Sequence, residues 1–498
     1  MKRNKRSNLS FFEPVLFLIL IFGLFIRIFH LDRFLGFYFD QGRDALVIWD
    51  FIKSGKLFLI GPTIGPTMGV GDVPRGPWYL WLLIPFYWLG KGNPVIPAYF
   101  LVFSQVLSFA ILYFVFSKLG EKFVAVSSLV ISVFSFSLVL SSHWLSNPTF
   151  LYFLSALFLW FLLKIADEKR WAFLASGFLS GLAIHFGGSA DIFYPLIAFL
   201  VAFIWSRKLI NLKNIFYFFF FYCFSLLPQI IFDIRHSGII RKGLWQFINS
   251  SRSFSFYFWD LLPSRISLYL DTFSEVVWGQ RSFLFVLFFI AIFLVAILKS
   301  QEIKNNKYFQ VILISVFIPL VGMLFIKGEK GIIYGYYFTG FYIFWIVFFS
   351  FLLKFISKGF LGKVVIFLFL FAFIGRNLYL VSRYFKYDYR KYNPIILEDQ
   401  LLAIDWIYKD TTDCNFNVDF YVPPVIPYAY NYLFKWYGFS KYGCLPKEES
   451  VKTLYTLSEK DDSHPERLSN WLMRQDTIGK VEKEAIFGNI KIERRARI

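Results

Sequence analysis

The sequence predicts an all-α polytopic membrane protein with a small α/β domain at its C-terminal end. Three observations carry this. Of 498 residues, 57% are hydrophobic and 22% aromatic, and only 17% are charged, against about 25% charged in an ordinary soluble domain. Eleven apolar runs approach the roughly 17–25 residues that a helix needs to cross about 30 Å of hydrocarbon. They fall at about 14–31, 95–117, 123–142, 148–164, 171–186, 191–205, 215–232, 282–298, 309–326, 334–353 and 364–381. Residues 382–498 hold no such run and mix helical with alternating patterns. A soluble enzyme, a disordered chain and a disulfide-rich secreted domain are excluded.

Charge orders these runs. The 52 Lys and Arg exceed the 33 Asp and Glu by 19, a balance that in a soluble protein would suggest nucleic acid. In a membrane protein it reads as basic cytoplasmic loops, so no nucleic-acid partner is inferred. The opening MKRNKR places the N-terminus in the cytoplasm. Lys118/Lys122, Lys169/Arg170, Arg207/Lys208/Lys213, Lys299/Lys304/Lys307 and Lys354/Lys358/Lys363 then fall in five successive inner loops. The outer loops 143–147 and 187–190 hold no Lys or Arg, and 327–331 holds Lys327 and Lys330. The run Trp78–Gly90 is short and contains Pro85; it reads as a helix on the membrane surface, since counting it as a span would invert every later loop. Eleven spans result, with the N-terminus inside and the C-terminus outside. Glu13–Leu31 has no small-residue cleavage site and is read as a retained first helix.

The expected organisation is a membrane domain, 1–381, with long outer loops at 32–94 and 233–281, and an extracytoplasmic α/β domain, 382–498. Within the latter, Glu398–Tyr408 has a helical pattern, Phe416–Val422 a strand pattern, and Pro427–Trp436 a helix or turn; further strand-like runs cover 451–457 and 483–494. Cys414 and Cys444 lie on the outer side, where a disulfide is possible, and Cys223 reads as a packing residue in a span.

Polar residues inside the spans are sparse: Arg27, His30, His185, Asp191, Asp233 and Arg376, all near the expected outer ends. Intramembrane ionisable groups are costly and point to function, with snorkelling the alternative for any one of them. The first outer loop opens FYFDQGRDA over 37–45. Asp40 sits just beyond the first span, where a partly desolvated carboxylate is placed to accept or orient a hydroxyl proton; a helix N-cap is the competing role. Arg43 and Asp44 lie one turn on. Downstream come Gly61-Pro62-Thr63 and Asp72-Val73-Pro74-Arg75-Gly76-Pro77, in which Arg75 could meet a phosphate or a lipid headgroup. His143 and Asn147-Pro148 mark the second short outer loop, His185 the third, and Arg235 and His236 open the long one. Cationic side chains beside a membrane surface suit a lipid-borne phosphate, though a lone His is often structural. No Walker A, GxGxxG, HExxH or CxxC pattern occurs, which argues against a nucleotide donor.

This layout resembles the integral-membrane glycosyltransferases of the GT-C fold, the group that includes protein O-mannosyltransferases and lipid A aminoarabinose transferases. The resemblance covers roughly residues 10–380 well and the tail loosely. The family's acidic pair after span one reads here as Asp40-Gln41, and its Lys/His-Pro-Pro as Arg75-Gly76-Pro77. Where many relatives place a second acidic residue, this chain has Asn147. The resemblance implies a polyprenyl-phosphate (or diphosphate) sugar donor and transfer with inversion to a hydroxyl of a lipid, polysaccharide or protein at the outer face. Asp40, with Asp44, would carry catalysis, Arg75, Arg235 and His236 would hold the donor phosphate, and His143, Asn147 and His185 would contact substrate. No cofactor is firmly implied; a divalent cation shared by Asp40, Asp44 and Asp72 is the candidate. Two other readings compete. A transporter or flippase of lipid-linked saccharides predicts midplane charges and matching halves, which are not seen. An O-antigen-type polymerase or ligase places its key loop late, whereas the richest motif here follows span one.

Overall fold

The computed structural model describes residues 12–64, 73–249, 258–298, 300–326, 333–392, 394–411, 413–423 and 426–498. The N-terminal basic run, Asp72, Lys299, Lys327 and Lys330 lie outside the described residues. Helix α1 (Phe12–Ile28) leads through α2 (Leu31–Phe34) to α3 (Phe39–Ser54), the antiparallel pair β1 (Thr63–Ile64) and β2 (Val73–Pro74), and α4 (Trp78–Leu89). Then come α5 (Val95–Lys118), α6 (Lys122–Phe134), α7 (Phe136–Ser142), α8 (Leu151–Ala166), α9 (Arg170–Ala183), α10 (Tyr194–Trp205), α11 (Leu212–Ser225) and α12 (Leu227–Arg235). They are followed by α13 (Ile239–Asn249), α14 (Leu262–Trp278), α15 (Phe283–Leu298), α16 (Ser300–Asn305), α17 (Lys307–Gly322), α18 (Tyr342–Ile356), α19 (Phe360–Arg383) and α20 (Tyr389–Tyr392).

All eleven apolar segments are helical. Four stretches are long and apolar enough to cross a bilayer alone: Val95–Lys118, Asn147–Ala166, Gly335–Ile356 and Phe360–Tyr392. Three pairs reach that length only across a bend, α6–α7 at 58°, α11–α12 at 67° and α14–α15 at 92°, so four to seven spans follow from length among the described residues. The shorter apolar helices include α4, which buries Tyr79, Leu80, Leu83 and Tyr87 and exposes Trp88 and Leu89. The expected outer loop 233–281 is not merely loop: it contains α13 and α14, and α14 buries Phe273, Val276 and Val277 against α18. Helix α18 is buried almost all round, as expected for the centre of a bundle.

Each bend frees backbone groups that hydrocarbon cannot solvate, and side chains from distant elements take them up. At the α6–α7 break, Arg27 donates to the carbonyls of Ser132 and Val133, and Asn377 Oδ1 accepts from the Phe136 N–H at 2.8 Å. Asn377 also donates to the Trp278 carbonyl at the α14–α15 break. Arg27 is fully buried without a carboxylate partner among the described residues; Gln105 and three backbone carbonyls take four of its five N–H donors. At the α11–α12 break, where Pro228 opens α12, the Ser225 carbonyl accepts from the Trp78 indole at 2.7 Å. Cys223 is exposed on α11, which corrects its expected packing role.

The C-terminal part contains α21 (Leu397–Asp410), β3 (Phe416–Tyr421), α22 (Tyr428–Leu433), α23 (Phe439–Tyr442), β4 (Thr453–Glu459), α24 (Pro465–Ile478), β5 (Gly479–Phe487) and β6 (Ile490–Arg497). Its four strands are ordered β3-β4-β6-β5, with β3 and β4 parallel and the other pairs antiparallel. The expected strand at 483–494 is a hairpin, β5–β6, turning at Gly488 with φ 59°. Helix α24 lies in a stretch whose polarity hid it. Cys414 and Cys444 form a disulfide. This part seats on the first loop through α22 and α3. A Cβ on Gly42 would collide with the backbone of Ala429 and lie 2.5 Å from the Tyr428 carbonyl carbon. Gly42 thus allows the two helices to touch backbone to backbone.

Candidate active site

The motif after α1 folds as the start of α3. Tyr38 is the N-cap, and its N–H donates to Gln41 Oε1 at 3.0 Å, a capping box that turns the buried Gln41 inward. Asp40 is therefore in the first helical turn rather than at the cap, where the helix dipole favours a carboxylate. One turn on, Arg43 bridges two acids: Nη1 lies 2.7 Å from Asp40 Oδ1 and Nη2 2.8 Å from Asp44 Oδ1. The acids differ in access, with the Asp40 side chain 57% exposed and that of Asp44 9%. Burial pushes the Asp44 carboxyl up to about 6, against the pull of Arg43.

Arg75 follows β2, its backbone held by Gly61 and Pro62, and its side chain runs inward. The guanidinium lies against Gly187, where a Cβ would fall 2.5 Å from Nη1 and 3.5 Å from Asn147 Nδ2. Asp40, Tyr336 and Tyr337 act on it electrostatically, yet burial dominates and draws its pKa down. Among the described residues no hydrogen bond or ion pair reaches this guanidinium. The His185 ring is pressed against Gly76, which leaves no room for a Cβ there, and both ring nitrogens are buried without a partner. Asp191 lies alongside, wedged against Gly188 and Gly340, and both of its carboxylate oxygens are also unpartnered.

Asp40, Asp44, Arg75, Asn147 and His185 thus share one cluster, contributed by α3, the β2–α4 link and the loops around 147 and 185. His143 stands apart: it is buried, stacks on Tyr384 and contacts the Tyr384 hydroxyl through Nδ1 at 3.2 Å. Arg235 and His236 sit at the exposed end of α12. His236 stacks on Phe232 and hydrogen-bonds its carbonyl, while Gln229, earlier on α12, donates to the Pro74 carbonyl. Arg43, Asp191, Tyr336 and Tyr337 complete the surroundings. Arg43 and Asp191 had a signal in the sequence, as charges at the outer ends, but two tyrosines among 29 carry none. Among the described residues no three His, Cys, Asp or Glu side chains gather as a metal site. Asp72, the third carboxylate expected for a cation, lies outside the described residues. Asp40 and Asp44 already share the positive charge of Arg43.

Over 97% of its length the chain matches one class of solved structures in fold. One solved member is the crystal structure of ArnT from Cupriavidus metallidurans bound to undecaprenyl phosphate, matched over 97% of both chains with a TM-score of 0.56 and 13% identity. The apo state of the same protein matches over 97% of both chains with a TM-score of 0.54 and 11% identity. The chain is a multi-pass membrane protein with this GT-C-type fold. No family model matches the sequence, and no curated protein is similar to it in sequence.

Proposed function

We propose that this protein is a membrane glycosyltransferase that moves one sugar from a polyprenyl-phosphate donor to an acceptor hydroxyl on the outer face of the membrane. The observation that carries this is Arg75, a half-buried cation that makes no hydrogen bond or ion pair among the described residues, beside the exposed carboxylate of Asp40. The guanidinium donors are unfilled, and a phosphate would accept charge-assisted hydrogen bonds from them. The shared fold with ArnT, solved with undecaprenyl phosphate bound, supports a lipid-linked phosphate as that anion.

In this reading the N-terminus is cytoplasmic and the C-terminal domain extracytoplasmic, in keeping with the Cys414–Cys444 disulfide and an oxidising compartment. The acceptor oxygen attacks the anomeric carbon as the bond to the donor phosphate breaks. The electron pair leaves with the phosphate, held by Arg75, and the acceptor proton passes to Asp40, which Arg43 holds in place. One displacement inverts the configuration. Arg235 and His236, at the rim, would meet the phosphate on its way in, and Asn147 and His185 would face the sugar. The acceptor is a hydroxyl on a lipid, a polysaccharide or a protein.

The test uses purified protein in proteoliposomes, a panel of radiolabelled polyprenyl-phosphate sugars, and a membrane extract as acceptor. Wild type consumes one donor. Asp40→Asn loses on the order of 10²–10⁴-fold in turnover, the usual worth of a positioned base. Arg75→Gln loses donor binding as well. Equal consumption by wild type and Asp40→Asn would move the base elsewhere. Transport of the donor without consumption would favour a flippase.

A further inference from the structure

At the opposite end of the bundle, α5 and α8 part to leave an apolar groove of about 270 Å³. Phe114, Leu157 and Trp160 line it, and Lys118 and Lys164 stand at its mouth. On α8 the groove is lined by Leu157 to Lys164, so it lies roughly 15–25 Å along the helix from Asn147 in the Arg75 cluster, toward the other side of the hydrocarbon. Trp160 and Trp171 pack together here, with ring centroids 5.3 Å apart, beside Lys169 and Arg170. Tryptophans flanked by basic residues mark a membrane–water interface. The groove is therefore apolar at acyl-chain depth and cationic at headgroup depth.

The positive charge at the mouth is not cancelled from within. Lys118 is exposed and, among the described residues, has no carboxylate partner. Lys164 reaches Asp167 only at 3.5 Å, and that carboxylate is taken more closely by Lys307 at 2.7 Å. Glu121, three residues past Lys118, is engaged by Lys354 and Asn306, and Glu168 makes no ion pair with either lysine among the described residues. We infer that this groove is a binding site for an anionic phospholipid, one acyl chain lying along Phe114, Leu157 and Trp160 and the phosphate between Lys118 and Lys164. The inference rests on the membrane setting and does not depend on the transferase reading.

Full-length protein in detergent would be titrated with phosphatidylglycerol, phosphatidylethanolamine or inorganic phosphate, and bound lipid counted by native mass spectrometry. Two lysines near a headgroup predict a preference for phosphatidylglycerol over phosphatidylethanolamine of roughly 30-fold. The Lys118→Gln/Lys164→Gln variant should bring the two lipids to parity. Leu157→Trp, which fills the groove, should reduce retention of both. Lys122→Gln, an exposed lysine outside the groove, should leave the preference intact. Equal preference in wild type and the double lysine variant overturns the site. Full displacement of phosphatidylglycerol by inorganic phosphate would also overturn it, since the acyl groove would then contribute nothing.

Discussion

Arg43 sets the character of both acids beside it. It holds Asp40 from one nitrogen and Asp44 from another, so the exposed acid is oriented and the buried one is partly neutralised. Asp44 begins from an ordinary value of 3.8 and is raised to about 6 by burial. Between those values the folded protein binds the proton more tightly than the unfolded chain. Its contribution to stability therefore declines as pH rises from about 4 to about 6 and is constant above that. Melting curves across pH 4–8 should show that slope in wild type, and Asp44→Asn should remove it. The acids, Arg75, Asn147 and His185 were legible in the sequence because polar residues at one face stand out in so apolar a chain. That Asp40 lies inside the helical turn was not, since it depends on Tyr38 and Gln41 closing the cap two residues earlier than a carboxylate cap would.

Among the elements, the apolar helices were legible and their bends were not. The runs 123–142 and 215–232 read as continuous, but the structure interrupts each and satisfies the freed groups from far along the chain. Composition carries no trace of such partners. Only packing brings Asn377 to both the Phe136 N–H and the Trp278 carbonyl. Replacing Asn377 by Leu should leave a buried donor and a buried acceptor unmet, at about 1–3 kcal/mol each. Thermal inactivation of the purified protein should move to lower temperature, and Asn377→Asp should recover part of the loss by keeping the acceptor. Helices α13 and α24 escaped detection for the opposite reason: their polar faces look like loop when apolar spans set the standard.

Across the molecule, the C-terminal part is seated on the loop that carries Asp40. Gly42 presses on Ala429, Tyr432 donates to the Gly92 carbonyl, and the Gln400 amide donates to the Phe37 carbonyl at 3.0 Å. Gly42→Ala should force the two backbones apart, because the obstacle is main chain that cannot rotate away. Overpacking of this kind costs about 1–3 kcal/mol. The expected outcome is faster limited proteolysis between α20 and α21, with the membrane helices still protected. The sequence signalled a separate α/β unit through its alternating runs and lack of spans. It could not signal the seating, because a glycine required by a neighbour 387 positions away looks like any other glycine.

Asn377 also sets a timetable. The Phe136 N–H that it receives is made 241 positions earlier in the chain. At ribosomal speeds that gap is roughly 10–50 s. Through that interval Arg27 can already hold the Ser132 and Val133 carbonyls at the corner of α6–α7, but the Phe136 N–H there lacks its partner. The early half of the bundle is thus assembled provisionally, to be locked when the last long helix arrives.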